Sequence, residues 1–292
     1  MKVPSLRAQA AATVAVLAAG FALVFFYAPL DTEGFIQKIF YLHVPLAICS
    51  LAGFVVAGIH AIRHLRSGDA VHDARSYVSI YLSVIFGIAV LVTGSIWARA
   101  EWGKWWVWDE PTLVSFLIVF LLYATYYPLR YAIEDRERQA RYASVFAITA
   151  GAFVPLNFLA VRLAEPLIHP RTFSSAGGLP GSMLLTFVVC LAGMALLWLS
   201  LVRFELAAKS ASARLSRLRR ALEGEAYAPP ATGSRIAPGV PSRTASASLS
   251  RLRRALEGEA YAPPRTGSRI APGVPSRAAS ASFMSDRTAR GI

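Results

Sequence analysis

Residues Tyr77–Trp97 read YVSIYLSVIFGIAVLVTGSIW and contain no Asp, Glu, Lys or Arg. About 20 mostly apolar residues in a helix cross roughly 30 Å of hydrocarbon, so this stretch is long enough to span a bilayer alone. Lipid offers an open backbone no hydrogen-bond partner, and the run is too continuous for a barrel strand, so the segment is predicted to be helical. Working outward, comparable runs lie upstream at Ala10–Tyr27 and Ile39–Ile62, and downstream at Thr112–Tyr131, Tyr142–Val161 and Ser182–Val202. The fold expected is an all-α integral membrane protein with six transmembrane helices. Composition agrees: 55% of residues are hydrophobic and 16% charged, and the mean hydropathy is +0.47, outside the usual range of soluble domains. Met1 to Tyr27 has a basic start and a long apolar run without a clear small-residue cleavage site, so it reads as a retained first span.

The net charge of +13 suggests a nucleic-acid partner only until it is located. From Ala207 onward there are fifteen basic and five acidic residues, which leaves 15 basic against 12 acidic, a net +3, in the first 206. The basicity belongs to the tail, which reads as a recently duplicated, solvated linker, with electrostatic attraction to anionic lipid as the functional alternative, and no nucleic-acid partner is expected. That tail holds a repeat with a 34-residue period: LSRLRRALEGEAYAPPATGSRIAPGVPSR at Leu215–Arg243 recurs at Leu249–Arg277, with Arg265 in place of Ala231. Its Pro/Gly/Ser-rich parts predict disorder. Two regions are therefore expected, a six-span membrane domain at 1–205 and a basic low-complexity cytoplasmic tail at 206–292.

The Lys/Arg bias of the short loops orients the spans. One set of ends carries Lys2, Arg7, Arg63, Arg66, Arg75, Arg130, Arg136, Arg138 and Arg141, together with the tail, while the other carries Lys38, Arg99, Lys104 and Arg171. Both termini are expected in the cytoplasm, with segments near 28–38, 98–111 and 162–181 facing outward.

The second outward segment concentrates aromatic rings. Five of the six Trp residues, Trp97, Trp102, Trp105, Trp106 and Trp108, fall in GSIWARAEWGKWWVWDE. An interfacial aromatic belt would spread Trp over all span ends, whereas this cluster forms a wall of flat apolar rings suited to a flat apolar ligand such as a porphyrin. If the segment is helical, Trp102, Trp105 and Trp106 share a face. The two flanking outward regions each supply one imidazole, His43 in KIFYLHVPLAI and His169 in AEPLIHPRTF, a pair that fits the two axial positions of haem iron. Pro45 and Pro170 restrict the backbone beside each ring. Neutral imidazole is the ligating form, so binding should weaken below about pH 6.5. His60, His64 and His72 lie at the cytoplasmic end of the second span and its loop. Cys49 and Cys190 sit singly in apolar runs, and C-x-x-C-H is absent, so any haem is held non-covalently.

Trp102-Gly103-Lys104-Trp105-Trp106-Val107-Trp108-Asp109 resembles the WWD motif of the haem-handling family of cytochrome c biogenesis that includes CcmC, CcmF and CcsA. The KIFYLHVP, GSIW and LIHP stretches look like its CcmC branch, over about residues 1–205. The resemblance implies a protein that binds haem b transiently at the outer face of the bacterial inner membrane. His43 and His169 would be the axial ligands, with Trp102, Trp105, Trp106, Trp108, Asp109 and Lys104 contributing to the site. It implies transfer to the haem chaperone CcmE beside the ABC transporter subunits CcmA and CcmB and the small membrane protein CcmD.

Two departures stand out: Glu110-Pro111-Thr112 follows Asp109 where the family usually carries a basic residue, and Leu163-Ala164-Glu165-Pro166 precede His169 where Trp is frequent. Asp109 also suits a helix cap at the start of the fourth span. Lys104, Arg99 and Arg171 are candidate partners for propionates, and Pro155, Asn157 and Arg162 interrupt the apolar fifth span. A cytochrome c synthase would carry more spans and further His within them, and a haem permease would carry polar residues along several spans. A transfer protein without bond-making chemistry accounts for the pattern better than either.

Overall fold

The computed structural model describes residues 5–30, 33–164, 167–169 and 178–226. The elements are helices α1 (Leu6–Phe26), α2 (Phe40–Ser67), α3 (Ala70–Trp102), α4 (Pro111–Ala124), α5 (Tyr126–Tyr131), α6 (Arg136–Leu163) and α7 (Gly181–Ala226), with a 3-10 turn at Gly34–Ile39 before α2. Six spans result, because α4 and α5 together supply the fourth, Pro111–Tyr131. The expected all-α multi-pass membrane architecture is the one observed. Most helices outrun the apolar runs that announce them, because polar caps satisfy their terminal N–H groups. Asp69 accepts from Val71 N at 2.8 Å and Asp135 from Arg138 N at 2.8 Å. Likewise α7 continues from its span through Lys209 to Ala226.

Helix α2 is the hub. Its Phe54, Ala57 and Ala61 enter a core with Val119, Tyr123, Tyr126 and the small residues of α6. Leu46 and Cys49 join α3 residues and Trp198 of α7, while Tyr41 meets Val24 of α1 and Phe187 of α7. Lipid tails are as apolar as these side chains, so close backbone approach and polar contacts decide which faces meet. Ser50 Oγ donates to the Ser83 carbonyl at 2.8 Å, and Trp198 Nε1 donates to Ser83 Oγ at 3.3 Å. The rings of Phe54 and Tyr123 stack at 3.7 Å. Helices α1 and α7 are joined by Thr13 and Ser200, whose hydroxyls lie 2.9 Å apart.

Two expectations need correction. Helix α6 runs unbroken through Pro155, and Asn157 Nδ2 donates to the Ser115 carbonyl at 3.4 Å, which ties α6 to α4. The Trp segment is not helical: α3 ends at Trp102 and Gly103 follows in the left-handed region at φ 72°. Trp102, Trp105 and Trp106 therefore share no helix face.

Candidate functional site

The α2–α3 packing places His43 about one turn into α2, against α3 at Thr93 and Gly94. Its Nδ1 lies 2.9 Å from Thr93 Oγ1. The Thr93 hydroxyl lies 2.7 Å from the Ala89 carbonyl and 3.3 Å from that of Val90; with its proton given to Ala89, the nearer, the oxygen turns a lone pair toward the imidazole. His43 is accordingly assigned the Nδ1–H tautomer, with its free lone pair on Nε2. A Cβ at Gly94 would stand 2.9 Å from His43 Cε1, so only glycine leaves room for the ring in this position.

One turn further along α3, Trp97 contacts the region of His169. The Trp97 and Trp102 rings pack edge to face at 4.8 Å, and His169 lies 6.3 Å from Trp97 and 6.2 Å from Trp102, centroid to centroid. His43 at Thr93 and His169 at Trp97 meet α3 at positions one helical turn apart. Sequence elements 126 residues apart are thus brought to one end of the bundle. Beyond Gly103 the rings of Trp106 and Trp108 pack at 5.9 Å. Trp105 and Trp108 are 61% and 70% exposed, while Trp106 Nε1 is buried and has no hydrogen-bond partner among the described residues.

Glu110, read from the sequence only as a departure, is fully buried. It caps α4, a role anticipated for its neighbour Asp109, by accepting from Thr112 N at 3.3 Å, with Pro111 in the first turn. Its other oxygen, Oε2, accepts from the backbone N–H groups of Leu167, Ile168 and His169 at 3.0, 2.9 and 3.1 Å. Burial pushes the carboxyl's pKa up, but the hydrogen bonds from Ile168, His169 and Thr112 outweigh it and hold the group below its ordinary value. Asp109 itself is exposed, as is Lys104. Arg99 donates to the Gly103 carbonyl and so braces the turn into the Trp segment, while Arg162 lies over the Phe158 ring at 5.2 Å. Pro170, Arg171, Glu165 and Pro166 lie outside the described residues.

The residues that the sequence brought forward for chemistry, His43, His169 and the Trp segment, gather at one end of the bundle. Thr93, Gly94, Trp97 and Glu110 join them; Trp97 carried a sequence signal as part of the Trp cluster, Gly94 as part of the GSIW stretch and Glu110 as a departure after Asp109. Two imidazoles, one with its tautomer set, flat apolar rings and an unpaired indole N–H fit a flat apolar metal macrocycle with acidic substituents: nitrogen donors for the metal, rings for its face, and an N–H for a carboxylate.

Fold and site together define a polytopic helical membrane protein whose metal-ligating candidates crowd one end of the bundle. The family model described as Heme exporter protein C, CcmC, matches residues 2–221. Among relatives, the Heme exporter protein C of Bradyrhizobium diazoefficiens is 33% identical over 198 residues, 66% of this chain and 73% of that protein. That of Paracoccus denitrificans is 29% identical over 198 residues, 65% of this chain and 81% of that protein. That of Rhodobacter capsulatus is 31% identical over 160 residues, 54% of this chain and 66% of that protein. The chain belongs to the haem exporter protein C family.

Proposed function

We propose that this protein serves the membrane stage of cytochrome c maturation by holding haem b non-covalently and transiently at the extracytoplasmic surface, and then yielding it to a haem chaperone. The observation that carries the reading is the convergence of His43 and His169, from α2 and from the segment before α7, on the end of α3 where the packed Trp97–Trp102 pair stands beside the second imidazole. Membership of the haem exporter protein C family supports the haem-handling role.

In this reading haem is cargo. Its iron accepts one nitrogen from each imidazole, the Nε2 of His43 being the one left free by Thr93. Trp105 and Trp108, exposed on the non-helical segment, offer stacking surface at the rim. Trp106 Nε1 supplies a donor for a propionate, and Lys104 an exposed cation for the same group. Asp109, also exposed, faces water at the motif's end and is assigned to contact with an incoming partner. Ligation by two neutral imidazoles without a covalent bond is reversible, which is what delivery requires. The partners of this reading are CcmE as acceptor, CcmA and CcmB as transporter subunits, and CcmD, all at the bacterial inner membrane with both termini of this chain in the cytoplasm. The region from 206 onward is assigned to the cytoplasmic side, away from the haem site.

The visible spectrum of purified, haem-loaded protein tests this reading. A six-coordinate, bis-imidazole spectrum is expected, with His43→Ala or His169→Ala giving a five-coordinate or water-ligated form that added imidazole partly restores. A six-coordinate low-spin spectrum in the double His43→Ala, His169→Ala variant would reject both ligands.

A further inference from the structure

Glu110 directs a fully buried carboxylate at a loop far along the chain. Among the described residues its hydrogen-bond partners are the Thr112 end of α4 and three consecutive amides, Leu167, Ile168 and His169. Consecutive N–H groups on an extended chain alternate in direction, so three of them meet one oxygen only where the backbone is curled around it. Such a concave arrangement of amides is an anion-binding shape, and here the anion is the chain's own. Each bond ends on a carboxylate oxygen and is charge-assisted in kind, at a length within the ordinary N–H···O range. The last of the three belongs to His169 itself, so the carboxylate grips the residue whose imidazole lies beside the packed Trp97–Trp102 pair. Its other oxygen is fixed to the start of α4, directly after the Trp segment.

We propose that Glu110 is a positioning residue for haem ligation: it anchors the His169 backbone to the end of the Trp segment, so that the imidazole and the indole wall hold one geometry whether or not haem is bound. The proposal rests on the reading of His169 as a ligand, but the anchoring it requires exists without haem. Glu110 touches neither iron nor porphyrin. A residue of either charge sign elsewhere in the loop would not replace it, because the geometry demands an acceptor with lone pairs toward three donors and a second oxygen toward Thr112. Gln keeps the length but turns an N–H₂ group toward one set of donors. Asp keeps the charge but falls one methylene short.

The test uses the full chain in lipid nanodiscs, with two independent readouts on Glu110→Ala, Glu110→Gln and Glu110→Asp. In haem-free protein, hydrogen–deuterium exchange at residues 167–169 is expected to accelerate by about tenfold or more in E110A and E110Q, since the bonds lost are charge-assisted. Exchange there in His43→Ala should equal that of the unaltered chain. In haem-loaded protein, E110A and E110Q should show the mixed or five-coordinate spectrum of His169→Ala, and added imidazole should restore the six-coordinate form, because the ligand is displaced while the pocket remains. A pocket that had collapsed would not be rescued. Should E110A fail to insert, E110Q and E110D carry both measurements. Unchanged exchange, or an unchanged six-coordinate spectrum in E110Q, overturns the proposal. If exchange accelerates yet His169→Ala itself stays six-coordinate, the ligand assignment has failed while the anchor stands as a purely structural one.

Discussion

Thr93 commits its single hydroxyl proton to the Ala89 carbonyl, so what it offers His43 is an acceptor. Replacing Thr93 with Val keeps the shape and removes that acceptor, so that the His43 ring loses one of its two α3 partners and keeps the Val90 backbone. Such supporting partners are typically worth about ten- to a hundredfold in metal affinity, and haem titration of Thr93→Val is expected to show a loss of that order, with Thr93→Ser near the starting value. An unchanged titration would remove Thr93 from the site. Glu110 makes a second prediction, in pH. Its pKa is held below the ordinary value, so the stability it contributes is fully present above the unfolded carboxylate's pKa, about 4.3, and is lost as pH falls through the lower folded value. Amide protection at 167–169 should therefore stay level from neutral pH to about 4.3 and fall only below it. A decline centred near pH 6.5 would assign the loss to an imidazole instead. His43 and His169 were brought forward as candidates because they stand one on each flank of the Trp segment. Thr93 was not, because it matters only once α2 lies against α3, a contact between residues 50 positions apart, and Gly94 was read only as part of the GSIW stretch. Glu110 was visible as an oddity, but its three donors lie 57 to 59 residues away.

At the scale of elements, hydropathy located all six spans, since a bilayer makes helices obligatory where apolar runs are long enough. Their ends depend on caps. The helical face expected of Trp102, Trp105 and Trp106 fails at Gly103, which adopts φ 72° and stops α3, and the segment beyond is free to splay its indoles. Pro155 sits within α6 without breaking it, because neighbouring helices in a membrane bundle can satisfy what a proline frees. Packing between spans was the least legible feature, since apolar periodicity does not say which face meets which. At the junction of α2, α3 and α7, a Cβ on Gly53 would overlap Ser83 Oγ and approach the Trp198 ring to 2.9 Å. The hydroxyl and the indole are hydrogen-bonded to each other, so relieving the strain means moving both side chains. Gly53→Ala is expected to destabilise the bundle by about 1–3 kcal/mol, the usual cost of overpacking, read as a lower Tm in detergent. An unaltered Tm would mean that α7 does not seat its Trp198 against α2.

For the whole molecule, chain direction alternates from helix to helix, so the α2–α3 turn, the α5–α6 turn and the far end of α7 share one side, and the Trp segment lies on the other. Cations divide in the same way: Arg63, Arg66, Arg75, Arg136 and Arg138 stand near the first set of ends and Lys104 near the second. Arg130 is anchored on the basic side too, where it pairs with Asp73 at 2.7 Å. In the orientation proposed above the Trp segment faces outside, the side that the bias of short loops toward cytoplasmic Lys and Arg favours. Single-cysteine labelling decides this directly, because the native Cys49 and Cys190 are both buried in the bundle and should stay silent toward a polar maleimide. Lys104 and Glu134 are exposed at opposite ends. In intact cells a membrane-impermeant maleimide that reaches the periplasm is expected to label Lys104→Cys and to spare Glu134→Cys, and permeabilising the inner membrane should expose Glu134→Cys as well. The reverse pattern would turn the site toward the cytoplasm. Haem ligated there would meet the cytosolic pool of acceptors and not an extracytoplasmic chaperone, so the proposed delivery would fail even with both imidazoles confirmed as ligands.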